Sequence, residues 1–219
     1  VLSLQFKIKN MSKLIEALNW RYAVKKFSSK KIPQDKLDII LESLRLTPSS
    51  LGLQAWKFIV VNNKDLRKQL VAATWNQTQV EDASHLLVLA RSKDLQEIDV
   101  EEWAEFLAKA RQMTEDKKDG FSAMIKSYLG SVSEVDKAIW LDKQLYIALG
   151  NVMTVCAYEE IDSCPMEGFN KQQYDEILGL DALGLKSVVV CPIGYRAADD
   201  PYQHVGKVRY PREKMVLEI

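Results

Sequence analysis

The residues with most to offer chemically are cations set beside rings. R-Y-A-V-K-K-F at residues 21–27 packs three cations and two aromatics into seven positions, and G-K-V-R-Y-P at residues 206–211 sets Lys207 and Arg209 two apart. Alternate side chains of an extended segment share a face, so Arg21, Ala23 and Lys25 would point one way, with Ala23 leaving room between cations. Such a cleft suits a ligand with a phosphate at one end and a polarised ring at the other. A solvated basic turn at a helix end is the commoner fate of such charge. An exposed basic tail is likewise the commoner reading of Lys207 and Arg209. With Arg21 they would make a three-cation phosphate clamp, but spacing alone does not bring them together.

Two loops offer neutral donors. T-P-S-S-L-G-L-Q-A-W at residues 47–56 carries Pro48, Ser49, Ser50 and Gly52, a turn-rich run whose hydroxyls and amides suit an anion or carbonyl. The Gln54 amide has the groups to read a heterocycle edge. A polar loop leading into a strand explains the same residues equally well. C-P-M-E-G-F at residues 164–169 contains Gly168, which permits close backbone approach, and Glu167, an isolated loop carboxylate with the chemistry of an acid. Such a Glu is more often solvated, and its backbone amide weighs above its carboxylate here. Cys164 has no partner base and reads as small packing. His85 reads as a hydrogen-bonded core histidine and His204 as a surface residue.

The elements that must hold these groups follow from periodicity. Leu14, Ile15 and Leu18 mark a helix capped by Ser12, and Leu37, Ile40, Leu41 and Leu44 mark a second opened by Pro33. Residues 57–63 and 84–91 read as buried strands with a helix between them, and residues 187–196 as a strongly β-branched central strand. Residues 100–129 are helical and charged, with an interruption expected near Asp119 and Gly120. Residues 135–161 form a long helix apolar on nearly every side, which belongs in a large core or a subunit interface. Asn170 caps a further helix, and K-M-V-L-E-I at residues 214–219 is a terminal strand candidate. The expected architecture is α+β, a central mixed β-sheet sandwiched between helices.

Composition bounds the rest. The 219 residues carry 30 Lys+Arg against 30 Asp+Glu, so any anion site is local and no nucleic acid or anionic membrane partner is expected. No linker or repeat divides the chain, so residues 1–219 read as one domain, with 1–10 before Met11 as an extension. Three cysteines without a C-x-x-C pair and two histidines argue against a metal centre and fit a reducing cytoplasm. Neither a G-x-G-x-x-G nor a P-loop motif occurs.

In order along the chain, these segments resemble the FMN-dependent nitroreductase and NAD(P)H:flavin oxidoreductase family. R-Y-A-V-K-K-F, P-S-S-L-G-L-Q-A-W-K-F-I-V-V, D-A-S-H, K-Q-L-Y-I-A-L-G-N, P-M-E-G-F, V-V-V-C-P-I-G-Y and K-V-R-Y-P carry the resemblance. It implies a homodimer with interface helices and two FMN sites between the subunits, with NADH or NADPH as electron donor. Arg21, Lys207 and Arg209 would hold the FMN phosphate; Tyr22 and Ala23 would line the ribityl chain. Lys25 would stabilise charge at the N1/O2 edge of the ring, and Asn76 would bond its pyrimidine edge. Pro48, Ser49 and Ser50 would come from the other subunit and cover the flavin, with Gly52 at that contact and Gln54 as a further cofactor-binding residue. Glu167 and Gly168 would present backbone N–H to N5, with Pro165 and Met166 beside them as cofactor-binding residues and Lys25 and Glu167 as the catalytic candidates.

The chain departs from the family pattern at Ala23, where Ser or Thr is common, at Gly52, where Asn is frequent, and at Gln79, where several members carry a nicotinamide-facing Lys. Residues 100–133 lie where the family varies its substrate cover, and Phe121 is a candidate acceptor-pocket residue. The implied chemistry is ping-pong two-electron hydride transfer to nitroaromatics, quinones or free flavins. The rivals are a specialised flavin enzyme, a flavin-storage module without turnover, and a nucleotide-binding regulator without redox chemistry.

Overall fold

The computed structural model describes residues 12–219, so the expectations for residues 1–10 and Met11 lie outside the described residues. Four strands form one sheet in the order β1-β2-β4-β3, where β1 is Trp56–Val61, β2 His85–Ser92, β3 Asp162–Ser163 and β4 Leu185–Gly194. All three strand pairings are antiparallel, and the parallel contact is an isolated bridge between Ala23 and Ser163. The expected mixed sheet is therefore antiparallel among the described residues. Its strands are apolar on both faces because helices cover both faces, and that pattern does not distinguish the two strand senses.

Helices α1 (Lys13–Trp20), α2 (Gln34–Arg45), α3 (Lys64–Ala73) and α4 (Gln79–Asp82) precede β2 or flank β1. Helices α5 (Glu97–Arg111), α6 (Glu115–Ser131) and α7 (Glu134–Tyr158) follow β2, α8 (Lys171–Leu178) precedes β4, and α9 (Arg212–Met215) ends the chain. One sheet face packs Leu87, Leu89, Cys191 and Ile193 against Leu37, Ile40 and Leu44 of α2 and Leu145, Leu149 and Val152 of α7. The other packs Leu86, Val88 and Val190 against Leu70 and Ala73 of α3 and Tyr174 of α8. The period of two in β2 sends alternate residues to opposite cores. Between Leu89 and Ala90 the register slips, so that Val188 bulges out of the ladder and joins Val189 in the first core.

Caps fall where the sequence puts them. Ser12 accepts from Ile15 N, Asn63 from Asp65 N and Leu66 N, and Asn170 from Gln173 N. The break between α5 and α6 lies at Gln112, which takes a left-handed φ of 52°, whereas Asp119 and Gly120 sit inside α6. Gln112 ends α5 as a left-handed C-cap, a role usually given to Gly or Asn, so residue type pointed to the wrong place. The terminal strand does not form among the described residues: residues 216–219 follow α9 as exposed chain without a ladder partner there.

Arg67 of α3 is buried and donates to the carbonyls of Val80, Glu81 and Ser84 at 2.7, 2.7 and 3.2 Å. It satisfies backbone left open at the end of α4 and ties α3 to the start of β2. His85 meets the Ser84 hydroxyl at 3.1 Å, and burial, then Arg67 and Lys31, hold its pKa down. Cys156 and Cys191 lie in the first core and Cys164 in the second, and burial raises all three thiols, Cys156 to about 12.

Candidate functional site

The chain leaves α1 at Arg21, whose N–H still donates to Ala17 O while its φ and ψ, −68° and 143°, are already extended. Val24 and Phe27 turn inward and are buried, and Phe27 bridges to Arg196. Burying Val24 leaves Arg21, Ala23 and Lys25 on the other face, as alternation requires; the chain then bends at Lys25 and Lys26, and Phe27 turns inward out of that register. They line a cleft of about 460 Å3 whose other wall carries Tyr202, Lys207 and Arg209. The two basic segments, nearly the whole chain apart in sequence, therefore meet.

Three anchors fix this cleft. Arg196 lies between two rings, its guanidinium carbon 4.2 Å from the Trp20 centroid and 4.5 Å from that of Tyr22. It forks onto buried Asp162, with Nη2 donating to Oδ1 at 2.6 Å and the backbone N–H to Oδ2 at 2.8 Å. Asp200 accepts from the backbone N–H groups of Lys25, Lys26 and Tyr202 at 2.7, 2.7 and 2.8 Å. Burial pushes its carboxyl up, but those three donors outweigh it and hold the pKa below the ordinary value. Lys207 Nζ donates to the carbonyls of Leu18 and Arg21. Lys26 points away and pairs with exposed Asp199.

The cleft is short of negative charge. Among the described residues, no carboxylate pairs with Arg21, Lys25, Lys207 or Arg209. Burial, then repulsion from Arg21 and Arg209, lowers the Lys207 pKa. Arg21 Nε and the Tyr22 hydroxyl are the buried side-chain polar atoms without a hydrogen-bond partner among the described residues, and both belong here. Tyr22 is raised to about 12, chiefly by burial, with Arg196 opposing. Asp200 raises it further, but its oxygens are committed to three backbone donors and the hydroxyl does not reach hydrogen-bond geometry. Unpaired buried donors beside crowded cations fit a phosphate-bearing ligand, because an unmet buried donor costs about 1–3 kcal/mol.

The other expected residues lie in separate places. The 164–169 segment runs along β4, with Met166 N donating to Val190 O at 2.8 Å. A Cβ on Gly168 would fall 2.7 Å from Cζ3 of exposed Trp75, so Gly168 is needed for that contact. Trp75 and Asn76 both take left-handed φ values, 54° and 60°, and Gln77 Nε2 donates to Gly168 O at 3.3 Å. Asn76 is exposed and Gln79 is buried in the first turn of α4. The Glu167 carboxylate accepts from Tyr146 of α7, and burial followed by that bond raises Tyr146 to about 12. Pro165, Met166 and Gly168 thus flank a loop fastened on three sides.

The 47–54 loop is held by other partners. Ser50 N donates to Gln144 Oε1 of α7 at 2.8 Å, Gln54 N to Ser49 Oγ at 3.0 Å, and Gln54 Nε2 to Gly52 O at 3.1 Å. A Cβ on Gly52 would fall 2.9 Å from Cζ2 of Trp103, so α5 closes over the loop. Pro48 is exposed beside it. Phe121 packs with Leu53, Val100 and Ile125 under the same loop, not in the basic cleft. Sequence reasoning missed Asp162, Arg196 and Asp200. The signal was the run R-A-A-D-D after the central strand, but nothing local marks Asp200 as buried and Asp199 as exposed.

The Nitroreductase family model matches residues 18–195. YfkO of Bacillus subtilis, which bears a provisional NAD(P)H nitroreductase name, is 36% identical over 200 residues, 86% of this chain and 90% of its own. In fold, a Bacillus subtilis nitroreductase-type crystal structure, ydfN, superposes with a TM-score of 0.85 at 22% identity, over 96% of this chain and all of its own. A nitroreductase-type protein of Exiguobacterium sibiricum, crystallised with FMN, superposes with a TM-score of 0.80 at 21% identity, over 96% of this chain and 99% of its own. From residue 18, at the end of the helix that opens the basic cleft, to residue 195, at the end of the central strand, this chain belongs to the nitroreductase family.

Proposed function

We propose that this protein is an NAD(P)H-dependent FMN oxidoreductase that works as a homodimer and reduces nitroaromatics, quinones or free flavins. The observation that carries the reading is the basic cleft: Arg21, Lys25, Lys207 and Arg209 have no carboxylate partner among the described residues, and Arg21 Nε is buried and unmet there. FMN, when bound, supplies two-electron transfer between a nicotinamide donor and an acceptor. Arg21, Lys207 and Arg209 hold its phosphate, and Tyr22 and Ala23 line the ribityl chain. Lys25 stabilises negative charge on the ring, Asn76 bonds the pyrimidine edge, and the 165–168 backbone offers a donor.

Two features favour a second copy. Ser50 and Glu167 are bound by Gln144 and Tyr146, two residues apart on α7 and so roughly 200° apart around it. Within one chain the 48–54 loop and the 165–168 loop meet different faces of that helix, and a second copy brings the first loop over the other's site. Helix α1 has no buried residue yet carries Leu14, Ile15, Leu18 and Trp20, and α7 exposes Val135, Ile139 and Ile147. Apolar faces of that extent suit an interface.

The visible spectrum of the purified protein, followed by anaerobic NADH or NADPH, tests the reading. A yellow protein that bleaches with either donor is expected, and failure to take up FMN overturns it. Gln79 is buried and neutral, which supports a storage module as the second reading. A yellow protein that bleaches with neither donor selects that alternative.

A further inference from the structure

One buried carboxylate joins both walls of the basic cleft. Asp200 is 2% exposed; its Oδ2 holds the N–H groups of Lys25 and Lys26, on the wall that carries Arg21, and its Oδ1 holds Tyr202 N–H, at the start of the wall that carries Lys207 and Arg209. The same two segments are zipped by Ala197 N donating to Lys26 O at 2.9 Å. Beyond Tyr202 the second wall is nearly all exposed, with Val205 N donating to Tyr202 O at 3.1 Å as one of its few internal restraints. The Lys207 bonds to the Leu18 and Arg21 carbonyls tie the far end of that wall to the first, and the turn at Asp200 sets where the wall begins, so Lys207 and Arg209 stand where both allow. Charge alone predicts the opposite role, because a carboxylate beneath four cations lowers the potential that attracts an anion.

The geometry points to Asp200 as a positioning residue for the phosphate end of the site: it fixes the spacing of the two cation-bearing walls, and anion affinity depends on that spacing more than on the charge Asp200 subtracts. The inference rests on the reading of this cleft as an FMN phosphate site. The sign of the effect separates the two accounts. Asp200→Asn removes a negative charge but replaces one acceptor oxygen by an NH2 that cannot accept, so one wall is released.

Fluorescence titration of apoprotein with FMN and with riboflavin, at one fixed salt concentration, reads the effect. For Asp200→Asn, FMN affinity should fall on the order of tenfold despite the gain in net positive charge, with a smaller loss for riboflavin, which lacks the phosphate. Asp200→Glu keeps the charge and displaces the oxygens, so it should weaken FMN as well and decides the matter if the Asn variant melts below the assay temperature. Asp199→Asn removes an equal charge from the exposed neighbour and should leave FMN affinity unchanged or slightly tighter. Equal or tighter FMN binding by a folded Asp200 variant overturns the inference, and so does an equal loss for both flavins. If the unaltered protein takes up no FMN, the fault lies instead with the functional reading.

Discussion

Two regions of this molecule gather lysines around a hollow, and they do opposite things with them. Between α5 and α6 lies a hollow of about 770 Å3, larger than the basic cleft, lined by Phe106, Ile98 and charged residues. Its cations are spoken for: Lys118 contacts Glu105 and Glu115, and Lys126 contacts Glu97 and Glu101. Bonds to those carboxylates raise both lysine pKa values, whereas burial and neighbouring cations lower that of Lys207. The size of a hollow says little about what it binds. A site for an anion is recognised by cations without carboxylate partners, and a solvated helix pair by cations that have found theirs.

The comparison breaks first at the scaffold. Arg196→Ala leaves Asp162 buried without its charge partner, holding only the backbone N–H of residue 196, and should cost about 3 kcal/mol of stability, read as a lower denaturation midpoint with unchanged slope. Arg21→Ala should keep the fold and weaken FMN by roughly 10- to 150-fold, the worth of one charge-assisted contact of about 1.5–3 kcal/mol. An undiminished FMN affinity in that variant would falsify the phosphate role.

Smaller effects sharpen the contrast. Because Lys207 has a lowered pKa that a bound anion would raise, FMN affinity is full below the free protein's Lys207 pKa and falls as pH rises through it, earlier than an ordinary lysine allows. Titration between neutral and alkaline pH should show that loss, and Lys207→Arg should shift it away. In the helical hairpin, Lys126→Gln should barely move the denaturation midpoint and leave FMN affinity untouched, as loss of a solvated ion pair does. A large loss of flavin there would undo the distinction.

Much of the fold was legible because burial on both sheet faces writes long apolar runs, and Ser12 and Asn170 sit one residue before their helices. What escaped was decided by contacts distant in sequence. Gln112 takes the turn expected at Gly120, and the terminal apolar residues find no ladder among the described residues. The same division holds at the site. Alternation foretold that Arg21, Ala23 and Lys25 share a face, but the residues that fix them, Asp200 and the Asp162–Arg196 pair, act from well over a hundred positions away.

The three cysteines give the molecule a property of another kind. Each is buried and kept protonated by burial, so none meets a thiol reagent while the core stays closed. Cys156 and Cys191 share one sheet face and Cys164 faces the other. Their labelling rates thus clock the opening of each layer separately, so the chain carries its own breathing gauge without an added probe.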